Sequence, residues 1–160
     1  GKPLPYLPYA YRHPEYGRKI KEEAKRGKDM IASLDIFRDS EAAHPIREEE
    51  YIKVERIKGK LLLIGAKDDV LWDTVKYIRR MEARLATREH TCEVESGIYE
   101  HATHFVFPEG MVKTMLPVGG DLITRVFAAG RKYPQECKAA RVDIERRITG
   151  AINEWMREEK

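Results

Sequence analysis

The pattern of apolar and polar positions changes near residue 52. Before that point it supports only short elements, which are a polar helix within Gly17–Gly27, a more apolar helix over Met30–Phe37 and an acidic stretch over Ile46–Tyr51. Residues 1–16 interleave prolines with tyrosines. Because proline lacks the backbone N–H and has a fixed φ angle, we predict an irregular, extended arm for these residues.

Beyond residue 52 the pattern predicts alternating strands and helices. Residues 52–57 alternate apolar and polar side chains, and Leu61–Ile64 is a continuous apolar run, typical of a strand buried on both faces. A helix follows, capped by Asp73 or Thr74, with apolar positions at Trp72, Val75, Ile78, Met81 or Glu82, and Leu85. After it come a strand over Thr91–Glu95 and a segment punctuated by proline and glycine over Pro108–Gly120. The last element is a helix over Pro134–Arg157, whose apolar stripe consists of Val142, Ile148, Ile152 and Trp155.

This order of elements is a βαβα unit, so the predicted fold class is α/β. Right-handed crossovers between parallel strands bring the loops that follow both strands to the same carboxyl edge of the sheet, where α/β enzymes hold their sites. Two strands are too few for a stable sheet, so we expect further strands from elsewhere. We divide the chain into residues 1–51, an arm with a lid-like or connecting helical region, and residues 52–160, the βαβα portion.

Charge and composition narrow the possible partners. The chain has 30 basic and 27 acidic side chains that interleave, giving a net charge of +3. Interleaved charge is typical of a solvated surface, so we expect no nucleic-acid partner. No apolar run is long enough for a membrane span, and we expect no membrane partner. Cys92 and Cys137 form neither a disulfide framework nor a metal motif, and we expect a cytoplasmic protein.

Two acids and two histidines are the candidates for chemistry. Asp68 and Asp69 follow the first strand, and His101 and His104 follow the second. An aspartate after a strand is often a turn residue, and loop histidines are often ordinary surface residues. Two histidines without an established carboxylate ligand fall short of the three or four ligands of a typical metal site, so we predict neither a metal nor a cofactor. We assign Trp72 and Cys92 to the core.

Several segments resemble one family. The run KGKLLLIGAKDDVLWDT, residues 58–74, resembles the pattern of an apolar strand, small residues, Asp-Asp and a tryptophan in α/β-hydrolases of the acyl-CoA thioesterase and bile acid-CoA:amino acid N-acyltransferase family. The segment from Tyr99 to His104 resembles the family's Tyr-Pro-Gly-Ala-Gly-His, departing from it at His101 and Thr103. The opening GKPLPYLPY, Gly119-Gly120 and the closing helix also resemble the family, whereas residues 10–51 fit it only loosely.

The resemblance implies the C-terminal part of an α/β-hydrolase fold, a mostly parallel sheet flanked by helices. It assigns Asp69 as the acid and His104 as the base of a catalytic triad, with Asp68 as the alternative acid. Ser33, Ser40, Ser96 and the two cysteines lie outside any G-x-S-x-G or G-x-C-x-G elbow. In the family the elbow precedes the segment that GKPLPYLPY resembles. We therefore expect the nucleophile on an upstream portion or on a second polypeptide.

The resemblance implies a hydrolase that cleaves a carboxylic ester or an acyl-CoA thioester, with this chain supplying Asp69 and His104. Three alternatives stay open: an acyltransferase that moves an acyl group from CoA to an amino acid, a non-catalytic binding or assembly module that keeps the fold, and a prolyl-peptidase-like hydrolase with the same placement of Asp and His. The Asp-Asp-x-x-Trp pattern does not point to the last of these.

Overall fold

The central element of the fold is a pair of parallel strands. The computed structural model describes residues 14–115 and 120–158, so most of the predicted arm lies outside the described residues. Strand β1 spans Lys60–Ala66 and strand β2 spans Glu93–Tyr99, with Ala66 opposite Tyr99 in the register. The prediction of two consecutive parallel strands is confirmed, although β2 extends four residues beyond its predicted end.

Helices precede, connect and follow these strands. They are α1 (Pro14–Lys25), α2 (Leu34–Ala43), α3 (Thr74–Ala86), α4 (Glu109–Met115), α5 (Gly120–Ile123), α6 (Ala128–Lys132) and α7 (Pro134–Glu158), with short 3-10 turns at Glu48–Glu50, Val54–Arg56 and Thr124–Val126. None of the described helices combines the length and the apolar character that crossing a bilayer requires.

The boundaries of the first two helices differ from the prediction. Helix α1 begins at Pro14, so the predicted irregular arm is wrong for residues 14–16; proline is favoured at a first helical position because no hydrogen bond is lost there. Helix α2 begins at Leu34 and not at Met30. The Met30 N–H donates to the Val126 carbonyl at 2.8 Å, and the N–H groups of Ser33 and Leu34 both donate to the Val70 carbonyl at 3.0 Å. These tertiary hydrogen bonds keep the preceding residues out of the helix.

Two other segments also depart from their sequence patterns. The alternating residues 52–57 form a 3-10 turn and not a strand, since Val54 is buried against the helix that follows β1. The Pro- and Gly-punctuated segment contains α4, whose first turn closes when the Val112 N–H donates to the Pro108 carbonyl. The predicted cap of α3 is confirmed: the Asp73 carboxylate accepts the Lys76 N–H.

Two small clusters of buried apolar residues pack beside the strands. Val54, Leu85 and Cys92 form one cluster, which confirms Cys92 as a core residue. Ala66, Ala102 and Ala140 form the other, at the carboxyl edge of the sheet. Their small side chains let α7 approach the ends of both strands closely.

This close approach also decides which face of α7 is buried. The predicted apolar stripe is wrong at three of its four positions: Val142, Ile152 and Trp155 are exposed, at 50%, 49% and 59%, whereas Ile148 is half-buried. The buried positions of α7 are Cys137, Ala140, Arg141 and Ile144. Packing of the small Ala140 against the strand ends turns the larger apolar side chains away from the described core.

A row of ion pairs joins α3 to α2 and to the two 3-10 turns that precede β1. The basic side chains Lys76, Arg80 and Arg84 recur every four residues and so share one face of α3, and Arg88 follows just past the end of the helix. Their partners are Glu41, Glu48 and Glu55. Arg84 binds Glu55 at 2.6 Å and Glu48 at 2.8 Å, and the Arg84 and Glu55 side chains are only 11% and 12% exposed. The expectation that the interleaved charge is simply a solvated surface is wrong for this face.

The ion pairs of Arg84 predict an acid-sensitive fold. Hydrogen bonds from Arg84 lower the pKa of both Glu48 and Glu55 to about 2, whereas an unfolded glutamate has a pKa of about 4.3. The unfolded chain therefore binds protons that the folded chain does not. The stabilisation by these pairs is complete above about pH 5 and is lost progressively as the pH falls toward about 2.

We expect the melting temperature to fall steadily between pH 5 and pH 3, measured by circular dichroism. Arg84→Met should be less stable at pH 7 and should show a flatter pH dependence than the unsubstituted chain. Equal pH slopes for the two proteins would show that these pairs do not control acid stability.

Candidate active site

The carboxyl edge of the two-stranded sheet brings the candidate residues together. The ladder continues one residue past the strands, where the Lys67 N–H donates to the Tyr99 carbonyl at 3.0 Å. The Thr74 hydroxyl bonds both backbone groups of Ala66 and so ties the start of α3 to the end of β1. The two loops that leave the strands at this edge are thereby held side by side.

Asp69 and His104 meet between these loops. His104 Nδ1 lies 3.0 Å from Asp69 Oδ2. The other carboxylate oxygen, Asp69 Oδ1, accepts the backbone N–H groups of Leu71 at 2.9 Å and Trp72 at 3.0 Å. The Asp69 side chain is 2% exposed, and that of His104 is 21% exposed. A buried carboxylate with three donors is fully satisfied and fixed in place.

This geometry determines the tautomer of the neutral His104 imidazole. Because a carboxylate accepts at Nδ1, that nitrogen carries the proton and Nε2 is left with a free lone pair. Nε2 makes no hydrogen bond to any side chain or backbone group of the described residues. The pair thus presents a basic nitrogen that is held from behind by a buried acid, an arrangement that can take up and return a proton.

A second aspartate–histidine pair lies beside the first. His101 Nδ1 is 3.0 Å from Asp68 Oδ2, and both side chains are about one third exposed. The His101 ring stacks on Tyr133 with a centroid distance of 3.7 Å and an angle of 11°. The alternative acid Asp68 therefore has its own histidine and does not bind His104. Sequence reasoning did not foresee this pair, although the matching Asp-Asp and His-x-x-His spacings were its visible signal.

Trp72 lies against the first pair and not in the core. Its indole is 46% exposed and contacts the His104 ring edge to face, with centroids 4.9 Å apart and an angle of 80°. The assignment of Trp72 to the helix core is wrong because residue 72 precedes α3 and belongs to the turn closed by Asp69. A cleft of about 270 Å³ opens here, lined by Ile64, Trp72, His104, Val106 and Phe107 among others.

The two histidines are also candidate metal ligands, and the two cysteines are candidate nucleophiles. His101 and His104 each bind a separate aspartate, and no three His, Cys, Asp or Glu side chains converge within residues 14–115 and 120–158. Cys92 and Cys137 are both buried, and neither forms a disulfide. Burial raises the pKa of the Cys137 thiol, which disfavours the thiolate that a nucleophile requires.

Comparison with known proteins identifies the family. The chain matches the family described as BAAT / acyl-CoA thioester hydrolase C terminal over residues 10–111, more than half of its length. The match includes residues 10–51, which the sequence motifs place only loosely in the family. Searches of curated proteins and of solved structures gave no match. The domain that defines the family is of the α/β-hydrolase type, in agreement with the parallel strands described above. The chain therefore belongs to the BAAT / acyl-CoA thioester hydrolase C-terminal family.

Proposed function

We propose that this chain supplies the acid and the base of a Ser–His–Asp or Cys–His–Asp triad to an enzyme that cleaves a carboxylic ester or an acyl-CoA thioester. The observation that carries the proposal is the Asp69–His104 pair, in which a buried carboxylate binds Nδ1 and Nε2 has no hydrogen-bond partner among residues 14–115 and 120–158. Family membership supports the choice of acyl chemistry, since the family name covers acyl-CoA thioester hydrolases.

In the proposed reaction His104 Nε2 accepts the proton of the attacking hydroxyl or thiol as the nucleophile bonds to the acyl carbon. The imidazolium then gives that proton to the departing alcohol or thiol as the C–O or C–S bond breaks. Water, deprotonated by the same nitrogen, then bonds to the acyl carbon, and the imidazolium returns the proton to the nucleophile as its bond to the acyl group breaks and the acid leaves. Asp69 holds the ring and stabilises the imidazolium throughout.

The nucleophile of the proposed triad belongs to an upstream portion or to a second polypeptide. The Ser33 hydroxyl donates to the Leu71 carbonyl at 2.9 Å, and the Ser96 hydroxyl donates to Glu82 at 2.6 Å. Neither of them, nor Ser40, lies in an elbow motif. We further propose that the enzyme acts in the cytoplasm, where Cys92 and Cys137 would remain reduced.

Two features of the fold support a larger assembly. The described sheet has only two strands, and such a sheet is marginal without further strands or covering helices. Exposed Ile152, Trp155 and Met156 lie together near the end of α7, where more protein would cover them.

The proposal is tested by labelling the native assembly. We expect native mass spectrometry of the assembly, purified through a tag on this chain, to show an added polypeptide or an upstream portion. A fluorophosphonate or an iodoacetamide probe should then label a serine or cysteine outside this sequence. The labelling should disappear in His104→Gln and persist in His101→Gln, the matched substitution in the neighbouring pair.

Labelling that survives His104→Gln would refute the triad and favour a non-catalytic module. Product analysis separates the two acyl chemistries that the family name covers. Release of free acid supports hydrolysis, whereas conjugation of the acyl group to an added amino acid supports an acyltransferase.

A further inference from the structure

We propose that Trp72 is a positioning residue for the Asp69–His104 pair and fixes the plane of the imidazole ring. The contact itself stands on geometry alone; its role in turnover rests on the proposed function. Trp72 is joined to both members of the pair, through its backbone to Asp69 and through its side chain to His104.

The backbone contact places the indole. Asp69 Oδ1 accepts the N–H of residue 72 at 3.0 Å, which closes a tight turn between the acid and the tryptophan. The hydrogen bond that orients the carboxylate toward His104 therefore also sets where the Trp72 side chain begins. A shift of the carboxylate would move the indole with it.

The contact of the Trp72 indole with His104 restrains the plane of the imidazole, which the hydrogen bond to Asp69 does not fix by itself. The covalent bond at Cγ and the hydrogen bond at Nδ1 hold two points of the imidazole, and they leave its plane able to tilt about the line through these two atoms. The indole contacts the ring edge to face at 4.9 Å, within the range of favourable aromatic pairs. On its other side Trp72 meets Phe37 of α2 at 5.9 Å and 78°. The indole is thus held between the ring that it orients and a helix that braces it.

The exposure of Trp72 argues against a purely structural role. Residue 72 is 46% exposed, so much of its apolar surface gains nothing from burial, whereas its edge-to-face contact with His104 is made. Trp155 is the other tryptophan of the chain, is similarly exposed at 59%, and lies on α7 away from both histidines. It serves as a matched control for the loss of an exposed indole.

The first test needs no activity and uses the 160-residue chain, whose folding is checked by circular dichroism. In a ¹⁵N-histidine-labelled sample, His104 should show the tautomer with the proton on Nδ1 and slow exchange of that proton. In Trp72→Ala we expect loss of the slowly exchanging signal, and in Trp72→Phe and Trp155→Ala we expect it to persist. An unchanged His104 signal in Trp72→Ala would overturn the proposal.

A second test avoids any change at residue 72. In Trp155→Phe the remaining indole is Trp72, and its emission should be quenched as the adjacent imidazole becomes protonated. His104→Gln in that background should abolish the pH-dependent change, whereas His101→Gln should leave it. Emission that does not respond to pH, or that responds equally without His104, would show that the contact does not form in solution.

Turnover by the assembled enzyme gives the third readout. We expect Trp72→Ala to lower kcat about two- to tenfold with KM unchanged, the range that an aromatic pair contributes. Trp72→Phe should restore most of the loss. Failure of the triad itself would appear as activity that is independent of His104, so the two proposals are tested separately.

Discussion

Replacement of His104 with glutamine is expected to lower ester or acyl-CoA cleavage by the assembled enzyme about 10³- to 10⁴-fold, mainly in kcat. Glutamine keeps a polar side chain of similar reach but cannot accept and return a proton. Asp69→Asn should approach the same loss, because an amide no longer dictates which imidazole nitrogen carries the proton. Initial rates with a chromogenic ester and with an acyl-CoA measure both effects.

The neighbouring pair provides the control for this experiment. His101→Gln and Asp68→Asn remove the same functional groups from the same two loops, at the 3.0 Å pair that is more exposed. We expect these variants to keep their rates within a few-fold of the unsubstituted protein. The opposite outcome, a large loss at His101 and a small one at His104, would assign the base to the second pair and refute our choice.

Replacement of Arg141 with methionine is expected to reduce the free energy of unfolding by about 3–5 kcal/mol. The Arg141 side chain is 1% exposed and joins α7 to α4 and α5. Its Nε donates to Glu109 of α4 at 2.7 Å, and its Nη2 donates to Asp121 of α5. Methionine fills a similar volume but leaves the Glu109 carboxylate, itself only 6% exposed, without its buried cation, so that only the exposed Lys113 remains, 3.8 Å from the other carboxylate oxygen. Urea unfolding followed by circular dichroism measures the change.

Two further variants separate the buried charge from loss of packing. Glu109→Gln combined with Arg141→Met removes the stranded charge and should recover part of the stability. Arg146→Met removes an exposed arginine of the same helix, paired with Asp143, and should have a much smaller effect. If Arg141→Met is as mild as Arg146→Met, the buried pair does not hold α7 in place.

The placement of Asp69 and His104 shows what a sequence pattern can predict about a site. Continuous apolar runs and loop positions predicted two parallel strands whose following loops share an edge, and the structure joins the two residues there at 3.0 Å. This succeeds because burial imposes its pattern locally and because crossover geometry leaves few ways to arrange two parallel strands. The catalytic roles of both residues stay predictions until the substitutions are made.

Helix ends and buried faces were predicted less well. Helix α2 begins four residues later than expected because carbonyls distant in sequence, those of Val70 and Val126, bind the N–H groups of the residues before it. The buried face of α7 follows the small Ala140 and not the large apolar positions. Local periodicity contains no information about partners that lie far away along the chain.

By itself, the sequence determined the order of β1, α3, β2 and α7, a cap for α3 at Asp73 or Thr74 and the two loops that carry acid and histidine, because each depends on residues close together in the chain. Only the tertiary structure decided that Asp69 binds His104 while Asp68 binds His101, and that Trp72 contacts the imidazole. Two adjacent aspartates and two nearby histidines allow more than one pairing. The packing of two separate loops at the edge of the sheet selects one of them, and a linear pattern does not describe that packing.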